Sequence, residues 1–261
     1  SVAAGLEEHH AGSPQPSTAV TTPLPGWRGA IVLGRGMSPP GHVSAPLRLS
    51  GAEGSPRLRG WLHLAALVVV LPAAVLLVRR SGDQASIVLY AVTLAALYGV
   101  SAAYHLLPMT TRVRYWMRRL DHATIYLFIA GAFTPMCLLV APRSEQGILL
   151  AVAWVGAGIG VTIKLVSLER TRVLGGTLYI VLGWLAIAML PSVLRGLDAL
   201  ELTLLFIQGA LYTLGALVLA MRRPDPYPET FGYHEVWHTM VVVATACYFV
   251  VLWSLVAHPG A

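Results

Sequence analysis

The stretch HEVWHTMVVVATACYFVVLWSLVA, residues 234–257, joins two histidines to a long apolar run. From Thr239 to Ala257 it carries no charged side chain, and a helix rising about 1.5 Å per residue makes it long enough to cross about 30 Å of hydrocarbon. His234 and His238 stand at i and i+4, so they share one helix face. Polar side chains are costly in lipid, and a pair placed this way needs a chemical reason.

Similar runs precede it at residues 61–78, 85–107, 123–140, 148–166, 177–194 and 202–221. Each is roughly 18 to 24 residues, a membrane-spanning length. The 261 residues are 56% hydrophobic and only 11% charged, with a mean hydropathy of +0.67, far oilier than a soluble domain. The expected fold class is an all-α membrane protein with seven transmembrane helices over residues 57–261.

Basic residues in the short connections orient the spans. Arg48, Arg57, Arg59, Arg112, Arg114, Arg118, Arg119, Lys164, Arg170, Arg172, Arg222 and Arg223 flank one side; Arg79, Arg80, Arg143 and Arg195 flank the other. The richer side is expected to be cytoplasmic, which puts the amino terminus inside and the carboxyl terminus outside. The sequence pI near 9.6 reflects this asymmetry rather than nucleic-acid binding.

Residues 1–56 are different material, rich in Gly, Pro and Ser and without sustained apolar periodicity or a signal-peptide pattern. They read as a disordered tail. The chain begins with Ser1 while Met37 lies further in, so it reads as a fragment or as begun upstream of its true start. No function is placed on the tail, the Glu7-Glu8-His9-His10 cluster included.

Ser101 and His105 form a second i, i+4 pair, in the last turns of the second span. Asp121 falls at the first turn of the third span, and His234 and His238 open the seventh. All five therefore lie at the cytoplasmic end, a placement that the count of basic residues did not use. Two imidazoles on one helix face grip an ion from one side, and a third from another helix leaves one position for water, the protein half of a catalytic zinc site. The expected ligands of Zn2+ are His105, His234 and His238.

Ser-Ala-Ala-Tyr-His at 101–105, Leu-Asp-His at 120–122 leading into Phe-Ile-Ala-Gly-Ala-Phe-Thr-Pro at 128–135, and Gly-Tyr-His-Glu-Val-Trp-His at 232–238 resemble hemolysin III proteins. These are bacterial relatives of the adiponectin and progestin receptors, and the resemblance covers roughly residues 57 to 258. It implies a multi-pass protein of a bacterial plasma membrane with a zinc near the cytoplasmic face, held by His105, His234 and His238. It further implies that Asp121 contacts a zinc-bound water and that Ser101 lies beside the site. The wider superfamily includes alkaline ceramidases, which cleave lipid amides.

The chemistry of the residues agrees with that suggestion. Zinc lowers the pKa of bound water towards about 7 and polarises a carbonyl, so one nearby carboxylate suffices as proton acceptor. Asp121 is the expected base and Ser101 a hydrogen-bonding or oxyanion partner. Plainer alternatives stand beside these: Asp121 as a helix cap, Ser101 bonded back along its own helix, His105 as an interfacial residue. His63 and His122 lie near the same side, outside the set of ligands but within reach of a supporting role.

Tyr104, Trp116, Tyr233 and Trp237 read as an aromatic interface belt. Cys137 and Cys247 sit in apolar spans as reduced core residues, Pro135 and Pro191 as kinks, and Gly156 to Gly160 as close helix contacts. His258 is at the far end.

Three function classes compete. A zinc-dependent hydrolase of lipid amide or ester bonds uses all five site residues, with membrane lipid as substrate and membrane homeostasis as its setting. A receptor-like regulator would use zinc structurally. A pore needs polar lining through the full membrane depth, whereas the outer halves of these spans read as almost purely apolar. A retinal pump is excluded, since its Schiff base needs a buried lysine and the only lysine, Lys164, falls at a span end. The inward amino terminus opposes a G-protein-coupled receptor.

Overall fold

The computed structural model describes residues 56–167 and 172–257. The tail expected over residues 1–56 lies outside the described residues except for Pro56, as do Arg48, Arg170 and His258.

Among the described residues the chain forms α1 (Trp61–Arg80), α2 (Ala85–Leu106), α3 (Thr111–Val140), α4 (Arg143–Val166), α5 (Arg172–Gly183), α6 (Leu190–Gly196), α7 (Ala199–Met221) and α8 (Tyr233–Ala257). A 3-10 segment over Trp184–Met189 joins α5 to α6. Seven helical stretches are long and apolar enough to cross a membrane, the fifth running through that segment over Leu174–Gly196. The expected seven-span all-α fold is the observed one.

Local chemistry sets the ends that matter for function. α1 begins after Gly60, whose φ of +87° is a left-handed conformation cheap only for glycine. A Cβ on Gly60 would also lie 2.7 Å from the Cβ of His105, so α1 and α2 meet there with no room to spare. α2 stops at Leu106 because Leu107 precedes Pro108 and takes the extended backbone that this position favours.

α3 departs from the expectation. It starts at Thr111, with the Thr110 hydroxyl accepting from the Val113 amide, not near Ala123. Asp121 therefore sits in the third turn, inside the helix, and the cap reading of Asp121 falls. The extra turns carry Arg112, Arg114, Arg118 and Arg119 and contain no apolar run, yet arginine is a good helix former. Thirty residues span about 45 Å, more than the thickness of the hydrocarbon core.

α3 is also the centre of the bundle. Its spanning window is 67% buried, against 11% for α7, and it packs on α2, α4, α5 and α8. α1 packs on both α2 and α8, which closes the first span onto the last. Gly160 and Gly156 face Tyr126 and Leu182 so closely that a Cβ would meet them at 2.3 and 2.5 Å, while Gly158 faces open space. Close helix contact thus explains two of those three glycines. Val68, Val69 and Phe206 project outward, as expected where lipid is the solvent. Cys137 and Cys247 are free thiols.

Candidate metal centre

His105 lies in the last turn of α2, and His234 and His238 in the first two turns of α8. The ring centroids are 5.3 Å apart for His105 and His234, 5.6 Å for His105 and His238, and 4.4 Å for His234 and His238. One nitrogen from each ring lies within 4.8 Å of those of the other two.

These residues fit a metal. Nε2 of His105 and Nε2 of His234 are buried and have no hydrogen-bond partner, and an unpaired buried polar atom costs about 1–3 kcal/mol. Neutral imidazole nitrogens are borderline-soft donors of the kind that zinc takes, each about 2.0–2.1 Å from the ion. An ion between the three rings would give those nitrogens the partner that the protein does not.

Two carboxylates hold the start of α8 in place. Glu235 Oε2 accepts from the Gly232 amide at 2.9 Å, and Asp225 Oδ1 accepts from the Tyr233 amide at 2.8 Å. Glu235 Oε1 accepts from Arg59 Nε at 3.0 Å, and its side chain is only 1% exposed. The backbone of Arg57 and Leu58 adds two bonds to the carbonyls of Glu229 and Thr230. Sequence reasoning took Arg59 only as a charge that sets orientation and gave Glu235 no role; its i, i+1 relation to His234 was the available signal.

Ser101 is buried one turn before His105 on the same face of α2, and its hydroxyl lies near the Asp121 carboxylate of α3. The structure therefore brings Ser101 and Asp121 together, but Asp121 does not belong to the converging set of three. His122 Nδ1 contacts the Arg118 carbonyl at 2.9 Å and lies 3.7 Å from Asp121 Oδ2. Its own carbonyl accepts from the Tyr179 hydroxyl at 2.9 Å, which ties α3 to α5.

His63 is the neighbour that the sequence left outside. From α1 it stacks on His238 with ring centroids 3.9 Å apart and planes 25° from parallel. The expected aromatic belt is divided. Trp116 is exposed, whereas Tyr104 packs on His105 with centroids 4.7 Å apart and Trp237 packs against Gly215. Lys164 is in the last turn of α4, as expected for a span end, yet its side chain is buried beside Tyr179.

Polar groups are not confined to one end of the bundle, contrary to the expectation for the outer halves. Tyr98 hydrogen-bonds Thr245, Tyr248 donates to the Ala132 carbonyl, and the Tyr90 and Tyr212 hydroxyls are buried without partners. The rings of Tyr90, Tyr98 and Tyr248 are nonetheless packed tight. On the surface, an apolar groove of about 330 Å³ runs between α1 and α8, lined by Ala73, Leu76, Phe249, Val250 and Trp253. It does not reach the histidines.

The family model for haemolysin-III related proteins matches residues 54–249. A protein named Hemolysin-3 homolog from Bacillus subtilis (strain 168) is 27% identical over 204 residues, covering 76% of this chain and 92% of that protein. A protein named Hemolysin-3 from Bacillus cereus is 29% identical over 194 residues, covering 72% and 85% respectively.

Proposed function

The chain belongs to the haemolysin-III related family, a multi-pass protein of a bacterial cell membrane, and from that premise we propose that it is a zinc-dependent hydrolase of lipid amide or ester bonds. The convergence of His105, His234 and His238 beside a Ser101–Asp121 pair carries this reading. The substrate is a membrane lipid, the site faces the cytoplasm, and the setting is the upkeep of membrane composition.

The three imidazoles would hold the ion, and when bound it supplies electrophilic activation of a carbonyl and of water. The remaining work falls to the chain itself. The Asp121 carboxylate takes the proton that water loses as its oxygen bonds to the acyl carbon, then gives a proton to the departing nitrogen or oxygen as the acyl bond breaks. Water is consumed, and a fatty acid and an amine or alcohol leave. The Ser101 hydroxyl holds Asp121 in the orientation this needs.

A second reading, a receptor-like regulator with structural zinc, has one observation in its favour. Nε2 of His105 and Nε2 of His234 are sealed from solvent, and the apolar groove between α1 and α8 includes no histidine of the site. The pore suggested by the relatives' names has less support, because the interior polar rings are packed rather than lining an opening.

Hydrolysis is tested with purified protein and a broad panel of ceramide-like and other acyl lipids. Released fatty acid, lost for the most part in Asp121→Asn while the metal stays bound, supports the hydrolase. No cleavage of any acyl lipid by zinc-loaded protein hands the function to the regulator.

A further inference from the structure

The first turn of α1 is fixed to the metal centre from both sides. Arg59 reaches Glu235 on α8, Gly60 abuts His105 on α2, and residues 57 and 58 are bonded to the strand of chain before α8. Three residues after Gly60, on the same helix face, comes His63.

His63 is 4% exposed. One side of its ring lies on His238, and Tyr98 approaches at 62° with centroids 5.1 Å apart. Tyr98 is itself held by Thr245. Yet neither Nδ1 nor Nε2 of His63 has a hydrogen-bond partner.

A ring needed only for packing would be phenylalanine or leucine, because an imidazole buried with both nitrogens unpaired forfeits its hydration for nothing. Both nitrogens are thus open to a partner from outside the chain. They do not belong to the set that converges within 4.8 Å, so His63 is a neighbour of the three imidazoles rather than a fourth of the same kind. A neutral imidazole offers one N–H donor and one acceptor, which suits a small oxygen group.

We propose that His63 is a further binding residue of this centre, holding an oxygen-bearing molecule, water or an acyl carbonyl, against His105, His234 and His238. This rests on the reading of those three as a metal site. It adds a contact from α1 that the three-histidine arrangement alone does not contain.

Cobalt-loaded protein in detergent tests it, with visible absorption as the readout and acetohydroxamate as the oxygen-donor probe. Wild type, His63→Phe and His63→Gln are each expected to bind about one cobalt per chain. The wild-type spectrum shifts on titration with the probe. His63→Phe, which keeps a stacked ring, binds the probe about tenfold more weakly, as loss of one hydrogen bond requires, and His63→Gln, which keeps a donor and an acceptor, recovers part of the loss.

Equal probe affinity in wild type and His63→Phe overturns the assignment, and so does a wild-type spectrum that ignores the probe. Folded His63→Phe without cobalt also overturns it, because His63 would then be needed to hold the metal itself. If His63→Phe fails to fold, His63→Gln decides: a probe affinity measurably below wild type agrees with the proposal, and an undiminished affinity overturns it. Wild type that takes up no metal defeats the metal centre as a whole, whereas wild type that loads normally and shows no dependence on residue 63 defeats this inference alone.

Discussion

Arg59 and Glu235 are paired at 3.0 Å, from the residue just ahead of the α1 cap to the residue between the two histidines of α8. The carboxylate is almost wholly buried and the arginine partly exposed. Glu235 also caps the α8 amino terminus through the Gly232 amide, so one carboxylate ties α1 to the three-histidine cluster and closes the end of the helix that carries two of them.

Arg59→Ala leaves that buried carboxylate with only its amide partner. Breaking a buried pair by removing one member costs about 3–5 kcal/mol, and the partial exposure of Arg59 lowers the figure to about 2 kcal/mol. Thermal unfolding in detergent should show a lower Tm for Arg59→Ala than for Arg57→Ala, and an unchanged Tm would mean that the pair contributes nothing.

Gly60 and Gly82 make a controlled comparison. Both have positive φ, but a Cβ at Gly60 would strike His105 whereas Gly82 has nothing within 4 Å. Gly82→Ala should lose only the left-handed penalty of about 1 kcal/mol and keep its metal. Gly60→Ala should lose more stability and bind metal less tightly, as read by competition with a chelator. Equal metal affinity in the two variants would contradict the packing of α1 against His105.

Elemental analysis of purified protein should find about one zinc per chain, and His238→Ala should abolish it, since two nitrogens hold the ion far more weakly. Zinc should raise Tm, because it binds only the assembled site. Its retention should fall on acidification, as protons compete for the imidazole lone pairs. The sign follows from the ligand form: binding needs neutral rings, so affinity is present at high pH and lost on acidification.

The charge asymmetry of the connections predicts a cytoplasmic amino terminus and an outer carboxyl terminus. A reporter fused after Ala261 should be active only outside the cytoplasm, and one fused to the amino terminus only inside. Both ends on one side would be incompatible with seven crossings.

Much of this was legible because lipid enforces simple rules. A long apolar run with few charges has one stable form in a membrane, so the spans could be located from residues such as Val241 to Val251 without any knowledge of packing. His234 and His238 were legible through their spacing, which is a property of one helix. His63 was not, since its stacking on His238 joins residues 175 positions apart and leaves no periodic trace. The start of α3 was hidden for a different reason: Arg112 to His122 form helix where the apolar signal vanishes but the backbone preference does not. The pairing of Ser101 with Asp121 stood between these cases, visible as two polar residues at one depth but not as a contact.

The closure of α1 onto α8 has a consequence for biosynthesis. A chain emerging from the ribosome inserts His63 and His105 early, but His234 and His238 arrive only with the final span. Until then the first helix lacks its partner Glu235, and only one of the three imidazoles is present. The three histidines thus come together only once the final span is in place, and an incompletely translated chain cannot form the cluster however long it waits in the membrane.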